Sequence, residues 1–167
     1  MVSLVQLKAS KNRSRQRGNT ILESAFVMTP FFVLLIGVVD FSTTIFLKST
    51  LQNSVNQAVH FAATAQTLPG LCHEASIRKV LQDNSLGLLS KANEKLVSVN
   101  YYSLADLSRP ISGPHGTDAG NVVEVSVANY AWSWLAPIGG SGNPALITVF
   151  AADRMEGRGD NSSKLCR

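Results

Sequence analysis

Thiol, imidazole and carboxylate side chains adjoin once in this chain, at Cys72-His73-Glu74. A thiolate beside an imidazole is a nucleophile pair, and the same three side chains are metal ligands. No HExxH spacing and no second ligand group accompany them, and the other two histidines, His60 and His115, stand alone. Surface or helix-start positions account for all three. Gly139-Gly140-Ser141-Gly142 lacks the lysine and the spacing of a phosphate loop and reads as a turn. No nucleophile-elbow pattern frames a serine. Tyr101, Tyr102, Tyr130, Trp132 and Trp134 could line a carbohydrate surface, but strand-face packing with a subunit contact explains them more simply. The sequence thus offers no catalytic residues, no metal site and no cofactor site, and it does not read as an enzyme.

Two carboxylates in an apolar setting say more. Glu23 stands just before Ser24 to Val39, a run without charge that Asp40 closes. A carboxylate in the first turn of a membrane helix is costly unless paired, and such residues are usually functional. Arg17-Gly18 precedes it at a suggestive distance. If the chain is cut after Gly18, Asn19 becomes the N-terminus and Glu23 the fifth residue. Positions i and i+4 share a helix face, so Glu23 would neutralise its own new amine or that of a neighbouring subunit. Asp40 follows 17 residues later, about 26 Å along a helix. One acid then falls near each edge of a hydrocarbon core about 30 Å thick, which makes Asp40 a membrane-interface residue rather than a buried ligand.

The element that positions these acids is a helix. From about residue 21 to 47 the chain is predominantly apolar, which exceeds the ~20 residues needed to cross a bilayer. The 15 basic and 11 acidic side chains give a net charge of +4, yet five of the bases (Lys8, Lys11, Arg13, Arg15, Arg17) lie in residues 1–18, where there is no acid. The body is therefore nearly neutral and lacks the basic face of a nucleic-acid binder. A basic leader over 1–18, with no comparable flank after Lys48, places the N-terminus in the cytoplasm and the rest outside. A cleaved secretory signal would need a shorter apolar run and a small-x-small site after it, and residues 48–57 contain none. A plain signal-anchor helix remains the alternative to a processed one.

Beyond Lys48 the apolar positions Leu51, Val55, Ala58, Val59, Ala62 and Ala63 recur at helical steps, so one helix is expected over 19–66, ending before Leu68-Pro69-Gly70. Pro30 should kink or loosen it. A shorter helix is expected between Cys72 and about Lys91, with Ile77, Val80, Leu81 and Leu88 as its stripe. Three strands follow, at 95–103, 121–132 and 145–153, with Val123, Val125 and Val127 on one face. Residues 108–120 and 133–144 read as loops by their glycine and proline content. The predicted fold is α+β: a long N-terminal helix, membrane-spanning and then extracytoplasmic, packed on a small antiparallel sheet within a 67–167 domain. Cys72 and Cys166 are far apart in sequence and neither belongs to a CxxC pair. In an exported domain a disulfide between them is their simplest use; two free buried thiols are the other.

The segment RGNTILESAFVMTPFFVLLIGVVDF resembles the prepilin processing and anchor region of type IV pilins, and more narrowly the TadE family of the tight-adherence (Tad/Flp) pilus system. Gly18 matches the residue before the prepilin cut and Glu23 the fifth-position glutamate. Glu23-Ser24-Ala25-Phe26, Pro30 and Gly37-Val38-Val39-Asp40-Phe41 complete the likeness, which continues weakly into the alanine-rich end of the helix and the last two strands. The resemblance implies a minor pilin or pseudopilin processed by a prepilin peptidase and acting in Tad/Flp pilus assembly. Its implied partners are other pilins, the inner-membrane assembly platform and membrane lipid. Its implied location is the inner membrane, single-pass, with the C-terminal domain periplasmic. An uncleaved single-pass protein serving as a binding or scaffolding module is the competing reading.

Overall fold

The computed structural model describes residues 13–112, 114–134 and 144–156, with the backbone alone over 13–19 and at 114. The leader residues before Arg13, the Gly139–Gly142 turn and Cys166 lie outside the described residues. The fold is α+β and pilin-like, as expected: a long apolar helix packed against an antiparallel sheet of four strands.

Helix α1 spans Arg13–Ala63. Its 51 residues make it about 77 Å long. It starts inside the expected leader and runs through both Gly18 and Pro30. It also stops before the expected Gln66. Ala65 adopts a left-handed backbone (φ 50°) and donates its N–H to Ala62 O at 2.9 Å, so the last turn tightens and ends the helix ahead of the Leu68-Pro69-Gly70 stop. Helix α2 (His73–Asn84) packs on α1 and ends where Leu86 and Gly87 take positive φ, short of the predicted Lys91. Ser54, fully buried in α1, bridges the two helices: its hydroxyl proton is shared between Thr50 O (2.8 Å) and Asn84 O (2.7 Å).

The sheet holds β1 (Val97–Ser103), β2 (Asp106–Pro110), β3 (Val122–Trp132) and β4 (Ala145–Arg154) in the order β2-β1-β3-β4, all neighbours antiparallel. Three of these strands were expected. Strand β2 was not, because all five of its residues are exposed and it therefore carries no apolar alternation to betray it. It is an edge strand, where a terminal proline is tolerated.

One face of the sheet meets α1. Val97, Val99 and Tyr101 of β1 lie opposite Val127, Val125 and Val123 of β3. With Ile147 and Val149 of β4, most of these close over Leu51, Val55, Ala58, Val59 and Ala62 of the helix. Val123, Val125 and Val127 share that face as predicted. The alternation then breaks: a bulge between Val127 and Tyr130 shifts the register by one residue, so Tyr130 comes opposite Ile147 and Trp132 opposite Ala145. The shift keeps both aromatic rings packed against the same core.

Candidate functional site

Along α1 the side chains divide sharply at Asp40. From Thr20 to Val39 every residue is exposed except the half-buried Gly37, and the most apolar stretch has no cover from the rest of the chain. Those 20 residues span about 30 Å, the thickness of a bilayer's hydrocarbon. Uncovered apolar surface of this extent on a water-soluble helix would oppose the hydrophobic effect. The polar side chains within and just above the stretch do not counter that reading. Ser24, Thr29, Ser42, Thr43 and Thr44 each donate to the carbonyl four residues earlier, at 2.7 to 2.9 Å. Each hydroxyl is thereby satisfied within the helix, as a lipid environment requires.

Glu23 is exposed, one helical turn beyond Asn19, and meets no cation among the described residues. Gly18 and Asn19 both lie within the helix. A glycine in a helix interior weakens it by roughly 1 kcal/mol relative to alanine, so Gly18 is a soft point. Asp40 is only 3% exposed although Val38, Val39 and Phe41 beside it are open. Among the described residues it is the first buried one along α1, so the domain begins where the uncovered stretch ends.

The triplet at the start of α2 is not a surface feature. His73 does begin the helix, but its side chain is fully buried. Nδ1 lies 3.1 Å from Gln66 O, and Nε2 has no hydrogen-bond partner among the described residues. Tyr101 packs beside it, ring centroids 6.4 Å apart, and its hydroxyl likewise has no partner among the described residues. Burial lowers the His73 pKa below its usual value and raises that of the Tyr101 phenol well above its own. Glu74 faces away to form a 2.8 Å ion pair with Arg78, whose Nη1 also donates to Val97 O at 2.9 Å and ties α2 to the start of β1. Among the described residues no cluster of His, Cys, Asp and Glu could hold a metal. His60 is exposed, and His115 sits 3.1 Å from Asp118 at the surface.

The five aromatic residues do not form one surface. Tyr101 is buried, Tyr130 and Trp132 pack partly against the core, and Tyr102 projects to the opposite face by strand alternation. Trp134, past the end of β3, is exposed.

Among the described residues one apolar helix is long enough to cross a membrane; its continuation into an amphipathic half that carries a four-stranded antiparallel sheet defines a pilin-like architecture. The family comparison agrees with it: residues 18–60 match the family described as TadE-like protein. The match begins at Gly18, takes in Glu23 and Asp40, and stops before the sheet. No curated protein and no solved structure matches the chain.

Proposed function

We propose that this chain is a minor pilin or pseudopilin of the Tad/Flp adhesion-pilus system, cut after Gly18 by a prepilin peptidase and assembled through its uncovered helix. The observation that carries the reading is the TadE-like match over residues 18–60 on a helix whose first 20 described side chains are open to lipid or to other helices. Cutting after Gly18 would free an amine one turn below Glu23. That carboxylate, otherwise unpaired in an apolar surrounding, would accept the amine of its own or a neighbouring subunit. The remainder of α1 would hold the sheet domain outside the inner membrane, where Cys72 and Cys166 would form a disulfide. The partners would be other pilins and the membrane assembly platform.

The test is N-terminal sequencing of the protein from cells that carry the pilus prepilin peptidase. The mature chain should begin at Asn19; persistence of the Met1 form there would sink the reading. Glu23→Ala should leave cleavage intact and reduce incorporation into the assembly, and wild-type incorporation would remove the pairing role.

A further inference from the structure

The height of the sheet above the membrane span follows from two hydrogen bonds. Gln52 Nε2 donates to Phe150 O at 3.0 Å, and the Glu156 N–H donates to Ala63 O at 2.9 Å. Advancing from residue 52 to 63 on the helix thus accompanies advancing from 150 to 156 on the strand side. The distances agree, at about 17 Å of helix and about 20 Å of extended chain. Strand β4 therefore runs alongside α1 in the same direction, away from the span.

Followed the other way, Leu146 lies four residues before Phe150, about 13 Å nearer the span. That drop equals about nine helical residues and brings Leu146 to the level of Thr43. Thr43 stands about 6 Å above Val39, where the uncovered stretch ends. The headgroup layer adds about 5 to 8 Å to each side of the hydrocarbon, so Leu146 falls inside it. Leu146 is 62% exposed. Ala145 pairs with Trp132, and Trp134, also exposed, follows two residues beyond that pair at the same loop end of the hairpin.

Charge distribution points the same way. No charged side chain occurs from Val125 to Trp134 or from Pro144 to Ala152, whereas Glu124, Asp153 and Arg154 sit at the far end of the same strand pair. On the helix, Phe41 and Ile45 are exposed at this level and continue the stripe of Gln52 and Lys48 downward at four- and three-residue steps, with the one charge, Lys48, above both.

We propose that Trp134 and Leu146, at the loop end of the β3–β4 pair, form a second membrane contact that rests in the headgroup layer of the bilayer α1 crosses. The proposal rests on the membrane reading of α1. Its partner is a phospholipid surface, and the contact is apolar and aromatic rather than ionic. Tryptophan suits this depth because its ring is apolar and its N–H can stay with water or headgroup oxygens. Two points of attachment would fix the rotation and tilt of the sheet domain, which one helix alone leaves free. Phe150, about 13 Å higher, stands clear of the lipid.

Tryptophan fluorescence of the full chain in phospholipid vesicles tests this, with lipids brominated at shallow or deep acyl positions as quenchers. In Trp132→Phe, which leaves Trp134 as the sole tryptophan, the shallow bromines should quench emission at least about twofold more than the deep ones. Comparing wild type with Trp134→Phe gives the same reading without disturbing the half-buried Trp132. A Phe32→Trp reporter in a chain lacking both natural tryptophans should be quenched by the deep bromines. If that reporter is not quenched, the membrane reading of α1 fails. If it is quenched but Trp134 is not, and aqueous acrylamide reaches Trp134, the headgroup contact alone is overturned. Shielding of Trp134 from both quenchers, relieved by diluting the protein into excess lipid, would instead assign this end to a second copy and also overturn the lipid contact.

Discussion

The Asn129 N–H reaches the hydroxyl of Thr148 at 3.3 Å across β3 and β4, and Asn129 holds a left-handed backbone, φ 58°, to do so. The extra residue at this bulge is what puts Tyr130 and Trp132 on the core face after Val127. Asparagine tolerates this conformation better than residues branched at Cβ. Asn129→Gly should therefore be nearly neutral, whereas Asn129→Val should destabilise the domain by about 1–3 kcal/mol. Denaturant midpoints of the full chain in mild detergent check both, and equal midpoints for the two variants would remove the bulge from the account.

His73 makes the stability of the domain pH-dependent. Its pKa is depressed by burial from the usual 6.5, with the Gln66 carbonyl and Glu74 opposing the shift. The unfolded chain therefore binds this proton more readily than the folded one, and stability rises with pH. The contribution is complete above about 6.5 and declines as pH falls from there toward the folded value. Tyr101, the other titratable ring packed against it, stays neutral throughout this window because burial raises its pKa. Unfolding of wild type and His73→Gln at pH 7.5 and 5.5 should show a smaller pH effect in the variant. Identical pH slopes would rule out His73 as the source.

Leu51 has no exposed surface, and the sheet and α1 meet around it. Leu51→Ala should cost about 2–5 kcal/mol of domain stability through lost burial and the cavity left behind. Phe32→Ala, on the uncovered span, should leave domain unfolding within about 0.5 kcal/mol of wild type. The contrast can be read from the same denaturant titrations.

The proposed Cys72–Cys166 disulfide predicts no free thiol in protein recovered from the envelope. Alkylation followed by intact mass should show no adduct before reduction and two after. Adducts without reductant would mean two thiols and a reducing or unpaired setting.

Much of this architecture was legible from local patterns. A charge-free apolar run of sufficient length reads as a helix able to cross a membrane, because in lipid the backbone must satisfy its own hydrogen bonds. Leu51, Val55, Ala58 and Ala62 marked the buried stripe, and Val123, Val125 and Val127 the buried strand face, because burial imposes those periods. Strand β2 left no such trace, since an edge strand with both faces exposed is held by backbone pairing that any residues can make. The bulge at Asn129 was equally silent, because a single register shift resembles ordinary strand variation until the partner strand is in place.

The sequence by itself determined the apolar helix long enough to cross a membrane, the acids at Glu23 and Asp40, and the candidate cut after Gly18, since each depends on residue type and spacing along one chain. Only the tertiary structure decided that Asp40 is covered, that His73 is sealed in the core beside Tyr101, and that β4 packs along α1. These facts arise from contacts between residues up to about a hundred positions apart, such as Gln52 with Phe150. Packing of a helix on a sheet sets them, and no local period encodes it.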